Sequence, residues 1–127
     1  MSRNATNISQ IGTVAVPVTD QERSLAFYVD VLGFEKTRDV PFGPGQRWIE
    51  VTPPAGGTTI AIPPLGDATA GIDTGIRLTT SDAEADHATL RSKAVDVDPE
   101  ILRFPGVPPM FTLRDPDGNR LYVVQSM

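Results

Sequence analysis

Glu50, Arg77, Tyr122 and Trp48 carry most of the chemistry open to this 127-residue chain. A carboxylate such as Glu50 acts as a general base once it is desolvated, and Trp48, two residues before it, is a neighbour able to do that. Arg77 offers a rigid fork of N–H donors suited to a substrate carboxylate or a developing oxyanion. Tyr122 can donate a hydrogen bond or a proton. The same residues also make a plain structural set, with Glu50 and Arg77 as an ion pair inside a cleft and Trp48 and Tyr122 as packing or binding aromatics. Binding is the stronger expectation, because a pocket needs only apolar surface with a few convergent polar groups, whereas catalysis also needs a matched base, electrophile and water exclusion.

Composition removes several alternatives. With no Cys, the chain has no disulfide, thiolate metal site or Cys nucleophile. Its one His, His87, falls on an expected helix at a position read as structural. Eleven basic against sixteen acidic residues give a net charge of -5, and no Lys/Arg cluster is present to neutralise a row of phosphates, so nucleic acid is not an expected partner. The acidity leaves room for a cationic ligand. The opening MSRNATNISQ is polar and reads as neither signal peptide nor membrane span, which makes a flexible tail over residues 1–9 and a cytoplasmic location the expectations.

The elements that position these residues emerge when the chain is slid along itself by 62 residues. VAVPVTDQE then falls on IRLTTSDAE, bringing Thr19 onto Ser81, Asp20 onto Asp82 and Glu22 onto Glu84, which read as two helix-opening capping boxes. Phe42 falls on Phe104, and WIEVTPPAGGTTIAIP falls on MFTLRDPDGNRLYVVQ, with Pro54 on Pro116 and Gly56 on Gly118. No gap is needed from 14–63 against 76–125. Each half reads as strand, capped helix and three strands: 11–18, 20–32, 35–41, 46–52 and 58–63, repeated at 73–80, 82–93, 95–102, 109–114 and 120–126. The first helix places Leu25, Tyr28, Val29 and Leu32 on one face and stops at Gly33.

Strand alternation then sorts the side chains. Val14, Val16, Val18, Ile49, Val51, Phe111 and Leu113 should face the helices. The opposite face should carry Thr13 and Ala15; Trp48, Glu50 and Thr52; Thr58, Ile60 and Ile62; Gly75, Arg77 and Thr79; Met110, Thr112 and Arg114; and Arg120, Tyr122 and Val124.

A strand followed by VTDQERSLAFYVDVLGF, and later a strand, DPDGN and a further strand, resembles the vicinal oxygen chelate superfamily of glyoxalase I, extradiol dioxygenases and bleomycin-resistance proteins. The motif residues are Ser24, Phe27, Tyr28, Leu32, Gly33 and Phe34 on the helix and Asp115 to Asn119 in the turn. The resemblance implies an α+β fold in which two tandem βαβββ modules form a curved mixed sheet with a concave cleft. In metal-dependent members, it implies, a His on the first strand of a module, its repeat counterpart and carboxylates on the last strands converge on one ion. Those positions here hold Thr13, Gly75, Tyr122 and, by the offset of 62, Ile60, none a usual ligand of a divalent ion. Glu50 faces the same side but lacks His partners. The Asp115/Asp117 pair reads as a turn-former, since no downstream bidentate Glu completes a calcium loop.

The expectation is a single domain over 10–127, with modules at about 10–64 and 72–127. It needs no cofactor or metal and binds a small molecule through Trp48, Glu50, Arg77, Met110, Thr112 and Tyr122. Sequestering an antibiotic or metabolite is the favoured role, and a lyase or isomerase using Glu50 as base is the alternative. A homodimer is expected from the resemblance and from an apolar rim, with FPGVPPM a candidate contact.

Overall fold

The computed structural model describes residues 6–66 and 68–126. Most of the tail expected over residues 1–9 therefore lies outside the described residues. The first module runs β1 (Thr13–Ala15), α1 (Gln21–Ala26), a π-helical turn (Phe27–Val31), β2 (Glu35–Pro41), β3 (Arg47–Thr52) and β4 (Thr59–Ala61). The second runs β5 (Asp73–Thr80), α2 (Ala83–Ser92), β6 (Asp96–Val97), β7 (Leu102–Phe104), β8 (Val107–Arg114) and β9 (Arg120–Gln125). Both helices begin as the capping boxes require, with Asp20 accepting from the Arg23 amide at 3.1 Å and Asp82 from the Ala85 amide at 3.0 Å. The first helical segment ends at Gly33, whose φ of +82° is a left-handed conformation that a residue with a Cβ rarely adopts.

Each module builds its own sheet. The first has strand order β1-β4-β3-β2, and the second has β5-β9-β8-β6 with β7 also pairing β8. The βα crossover makes β1–β4 and β5–β9 parallel, while the remaining pairs are antiparallel. Where the first module has the one strand β2, the second has β6 and β7, interrupted at Asp98-Pro99-Glu100. Pro99 is the counterpart of Thr37, where β2 shifts register between Lys36 and Arg38; a Pro there removes a ladder donor and turns an irregularity into a break.

The helix-facing residues of both sheets form one core. Val16, Val18, Ile49 and Val51 of the first module join Phe111, Leu113, Leu121 and Val123 of the second, packed against Phe27, Tyr28, Phe34 and Leu90. Each fully buried side chain of this size contributes about 1.5–3 kcal/mol, so this shared interior is what binds the modules together.

One expectation about facing fails. Ile60 and Ile62 are buried in the core, not on the opposite face. The cause is hairpin length: Val51 pairs with Ile60, nine residues on, whereas Leu113 pairs with Leu121, eight residues on. The Gly56-Gly57 turn carries one extra residue, and a one-residue slip moves every β4 side chain to the other face. The true counterpart of Tyr122 is Ala61, since Ala15 pairs with Ala61 as Arg77 pairs with Tyr122.

The helix motif and the DPDGN turn meet in space. Tyr28 is fully buried and donates its hydroxyl to Asp115 Oδ2 at 3.1 Å. Asp117, with its side chain 2% exposed, accepts from the Thr19 hydroxyl at 2.5 Å, from Arg23 Nη2 at 3.2 Å and from the Ser24 hydroxyl at 3.5 Å. Asn119, fully buried, donates to the Pro17 carbonyl and to Asp115 Oδ2, and its Oδ1 accepts from the amides of Gly71 and Ile72. This turn is a polar latch between modules, and among the described residues no buried side-chain N or O lacks a partner.

Candidate ligand-binding site

Trp48 and Glu50 stand on β3, on the face turned away from the core. The ladder runs Ala15, Ala61, Glu50, Arg38 across the first sheet, so these four share that face. Trp48 Nε1 donates to Glu50 Oε2 at 2.7 Å, the Thr59 hydroxyl donates to Oε1 at 3.1 Å, and Arg38 Nε lies 3.7 Å from Oε2. Each oxygen of a carboxylate only 17% exposed therefore accepts one hydrogen bond, and a neighbouring guanidinium adds its charge. Val40 pairs across the ladder with Trp48, and the Phe42 ring meets the indole edge-on at 5.9 Å. The first face is an aromatic patch around a buttressed carboxylate.

The second sheet carries Arg77, Tyr122, Thr112 and Met110. Arg77 pairs with Tyr122 and Tyr122 with Thr112, while Met110 pairs with Val124 on one side and Leu102 on the other. The Arg77 guanidinium lies over the Tyr122 ring, 4.3 Å from its centroid, and Nη1 donates to the Gly75 carbonyl at 2.9 Å. The Tyr122 hydroxyl donates to Asp73 Oδ2 at 2.7 Å, with Arg120 Nη2 3.8 Å from the same oxygen. The hydrogen bond to Asp73 raises the Tyr122 phenol above its ordinary value, and burial and the Asp73 charge add to it. The same bond, followed by the Gly75 amide, lowers Asp73. At neutral pH Tyr122 is thus a committed hydrogen-bond donor rather than a proton source.

The six expected binding residues consequently divide between two sheets, Trp48 and Glu50 on one and Arg77, Met110, Thr112 and Tyr122 on the other. The expected ion pair between Glu50 and Arg77 does not form, because each sheet turns its own outer face away from the shared core; Arg38 takes the place beside Glu50, and Arg77 stacks on Tyr122. Sequence reasoning missed Arg38, Phe42 and Asp73 as members of these faces. Alternation along β2 would have found Arg38, opposite Glu50, but Asp73 precedes an irregular stretch of β5 where alternation gives no guide. His87 is structural: it is 8% exposed, its Nε2 lies 2.7 Å from the Asp98 carbonyl, and its ring meets Phe111 edge-on.

The donor set does not fit a divalent ion. The four equivalent positions hold Thr13, Ala61, Gly75 and Tyr122: a hydroxyl 2.8 Å from that of Thr59, a methyl group, no side chain, and a phenol bound to Asp73. Gly75 has φ +71°, so a His placed there would be strained as well. Among the described residues no group of three or more His, Cys, Asp or Glu is placed to hold a metal. None of their helices is long and apolar enough to cross a membrane.

Comparison with known proteins agrees with this architecture. The chain is similar to a member of the Glyoxalase/bleomycin resistance protein/dioxygenase superfamily from Sphaerobacter thermophilus DSM 20745, at 32% identity and a TM-score of 0.87, covering 94% of this chain and 98% of that one. It is similar also to TnmS3, an antibiotic binding protein from Streptomyces sp. CB03234, at 31% identity and a TM-score of 0.84, covering 96% and 99%. A curated relative, the uncharacterized protein YetH of Bacillus subtilis (strain 168), is 44% identical over 57 residues; the match takes in 45% of this chain and 48% of that protein, about half the relative's length. The sequence profile of the Glyoxalase/Bleomycin resistance protein/Dioxygenase superfamily matches residues 10–123. Because that match takes in both modules, the helix motif and the DPDGN turn, the chain belongs to the glyoxalase/bleomycin resistance protein/dioxygenase superfamily.

Proposed function

We propose that this chain is a metal-independent binding protein that sequesters a small aromatic molecule, an antibiotic or a metabolite, on its outer sheet faces, and that it does so as a homodimer. The observation that carries the reading is the state of Glu50. Its oxygens accept from Trp48 and Thr59 beside Arg38, so the carboxylate is held in one orientation on the outer face, as a fixed charge for a ligand to meet. Trp48 with Phe42 on one face and Tyr122 under Arg77 on the other supply aromatic surface for stacking. Similarity to an antibiotic binding protein at 31% identity supports the same class of ligand.

A pocket bounded by both faces requires two copies of the chain, since within one copy the faces turn away from a common core. The repeat supplies the surface for it. Val40 and Leu102 are counterparts, as are Phe42 and Phe104, and all four are exposed, Phe42 by 51% and Phe104 by 57%.

The test uses Trp48, the single Trp, whose emission reports this face. A panel of aromatic antibiotics is titrated against the protein, and each compound is recovered and its mass measured. A binder quenches or shifts Trp48 emission and returns unchanged. Arg77→Ala should weaken an anionic ligand and Glu50→Ala a cationic one, each by about 1.5–3 kcal/mol. A ligand that left the emission unaltered, with neither substitution changing affinity by more than about twofold, would remove these faces as the site. Conversion of a compound, lost in Glu50→Gln, would establish lyase or isomerase chemistry in place of sequestration.

A further inference from the structure

The modules are related by a repeat, so the DPDGN latch has a counterpart, formed by the Pro53–Gly56 turn of the first module against α2 of the second. The two are built alike and filled differently. In the latch, Asp115, Asp117 and Asn119 reach Tyr28, Arg23, Ser24 and the Pro17 carbonyl. At the counterpart, with the repeat offset of 62 and the extra turn residue allowed for, Pro53 stands for Asp115, Ala55 for Asp117 and Thr58 for Asn119, while Ala85 stands for Arg23 and Leu90 for Tyr28. Every long polar side chain that fills the latch is replaced by a shorter one. What remains is a cavity of about 470 Å3, a volume suited to a small ligand.

The lining determines what such a ligand would be. Leu32, Phe34, Leu78, Leu90 and Val123 make an apolar wall, and Thr80 and Thr89 border it with polar side chains. Asp86, the counterpart of Ser24, is the one charged residue among those lining the cavity. Its Oδ2 accepts from the Thr80 hydroxyl at 2.5 Å, which fixes the carboxylate, and no hydrogen bond to its Oδ1 occurs among the described residues. A fixed anion with a free oxygen beside an apolar wall, with no Lys or Arg in the lining, selects a hydrogen-bond-donating cation on an apolar body.

We propose that this cavity between the Pro53–Gly56 turn and α2 is a second ligand site, distinct from the outer sheet faces, and that it takes a small primary amine with an aromatic or branched apolar body. Asp86 receives the ammonium group and the core-side residues receive the body. The site lies within one copy of the chain and does not rest on the sequestration reading.

The experiment is an amide-resolved NMR titration of the full chain with phenethylamine and with its neutral isostere 2-phenylethanol. Phenethylamine should move the amides of Leu32, Ala55, Thr79 and Thr89, and bind about tenfold or more tighter than the alcohol. Asp86→Asn, in which an amide oxygen still accepts from Thr80, should erase that margin; Ala55→Trp, which fills the cavity from an exposed turn, should abolish binding of both. The proposal is overturned if no shifts appear at these amides up to roughly 10 mM amine, if the shifts centre on Trp48 or Tyr122, or if Asp86→Asn retains the preference for the amine.

Discussion

The two tyrosines illustrate how a neighbour decides what a side chain can do. Burial, then the charge and hydrogen bond of Asp115, raise the Tyr28 phenol far above its ordinary value, and donation to Asp73 raises Tyr122. Folding therefore favours both protonated phenols. That stabilisation is complete below the unfolded value of 10.0 and is lost as pH rises through the higher folded values. Asp73 has the opposite sense: lowered chiefly by its bond to Tyr122, it stabilises above the ordinary carboxylate range and ceases to as pH falls through its lower folded value. In an alkaline titration followed at phenolate absorbance, Tyr122 should ionise above 10.0 and Tyr28 only as the chain unfolds. Asp73→Asn should bring the first midpoint back toward the ordinary value, and a midpoint indifferent to that change would contradict the assignment. Metal content belongs to the same scale. With Thr13, Ala61, Gly75 and Tyr122 at the ligand positions, elemental analysis of purified protein should find no stoichiometric zinc, nickel, manganese or iron. One equivalent per chain, lost on substituting a residue of these faces, would reverse that conclusion.

At the level of elements, the DPDGN turn does more than reverse the chain. It closes a hairpin with a backbone bond from the Gly118 amide to the Asp115 carbonyl at 2.9 Å, and it sends Asp117 to the start of α1, where a carboxylate meets both donors and the positive end of the helix. Removing Asp117 leaves the Thr19 and Ser24 hydroxyls and Arg23 without it and loosens the join between modules. Asp117→Ala should cost about 1.5–3 kcal/mol in urea unfolding, whereas Asp82→Ala, which removes only the N-cap of α2, should cost about 1 kcal/mol. Equal losses in the two variants would reduce Asp117 to a simple cap. The extra residue of the Pro53–Gly56 hairpin acts at this scale too, since the same slip that buries Ile60 in the core puts Ala61 next to Glu50 in the ladder.

For the molecule as a whole, one core and two outward sheet faces pose the question of what covers those faces. Exposed Val40 and Phe42 repeat as Leu102 and Phe104 from module to module, so a two-fold partner can bury them in matched pairs. Light scattering at tens of micromolar should give about 27 kDa, twice the 13.6 kDa of one chain. Phe42→Ser with Phe104→Ser should shift the mass toward one copy, and a wild-type monomer under those conditions would count against the homodimer.

Periodicity, capping boxes and one repeat offset were enough to read the two βαβββ modules, both helix starts, the Gly33 stop and most of the core, because each of these depends on neighbours within a few residues or on strict alternation, while the α+β fold was what the family resemblance implied. Alternation also placed Trp48, Glu50, Arg77, Met110, Thr112 and Tyr122 on faces opposite the helices. It failed where backbone geometry departs from period two: the longer turn before β4 misplaced Ile60 and Ile62, and the break at Pro99 split an expected strand. Which faces meet lies beyond any local rule. That Glu50 and Arg77 stand on separate faces, and that a cavity opens where the latch has lost its long side chains, are matters of how two sheets share a core. Contacts between residues 87 to 98 positions apart, such as Tyr28 with Asp115 and Thr19 with Asp117, exist only once that core has formed.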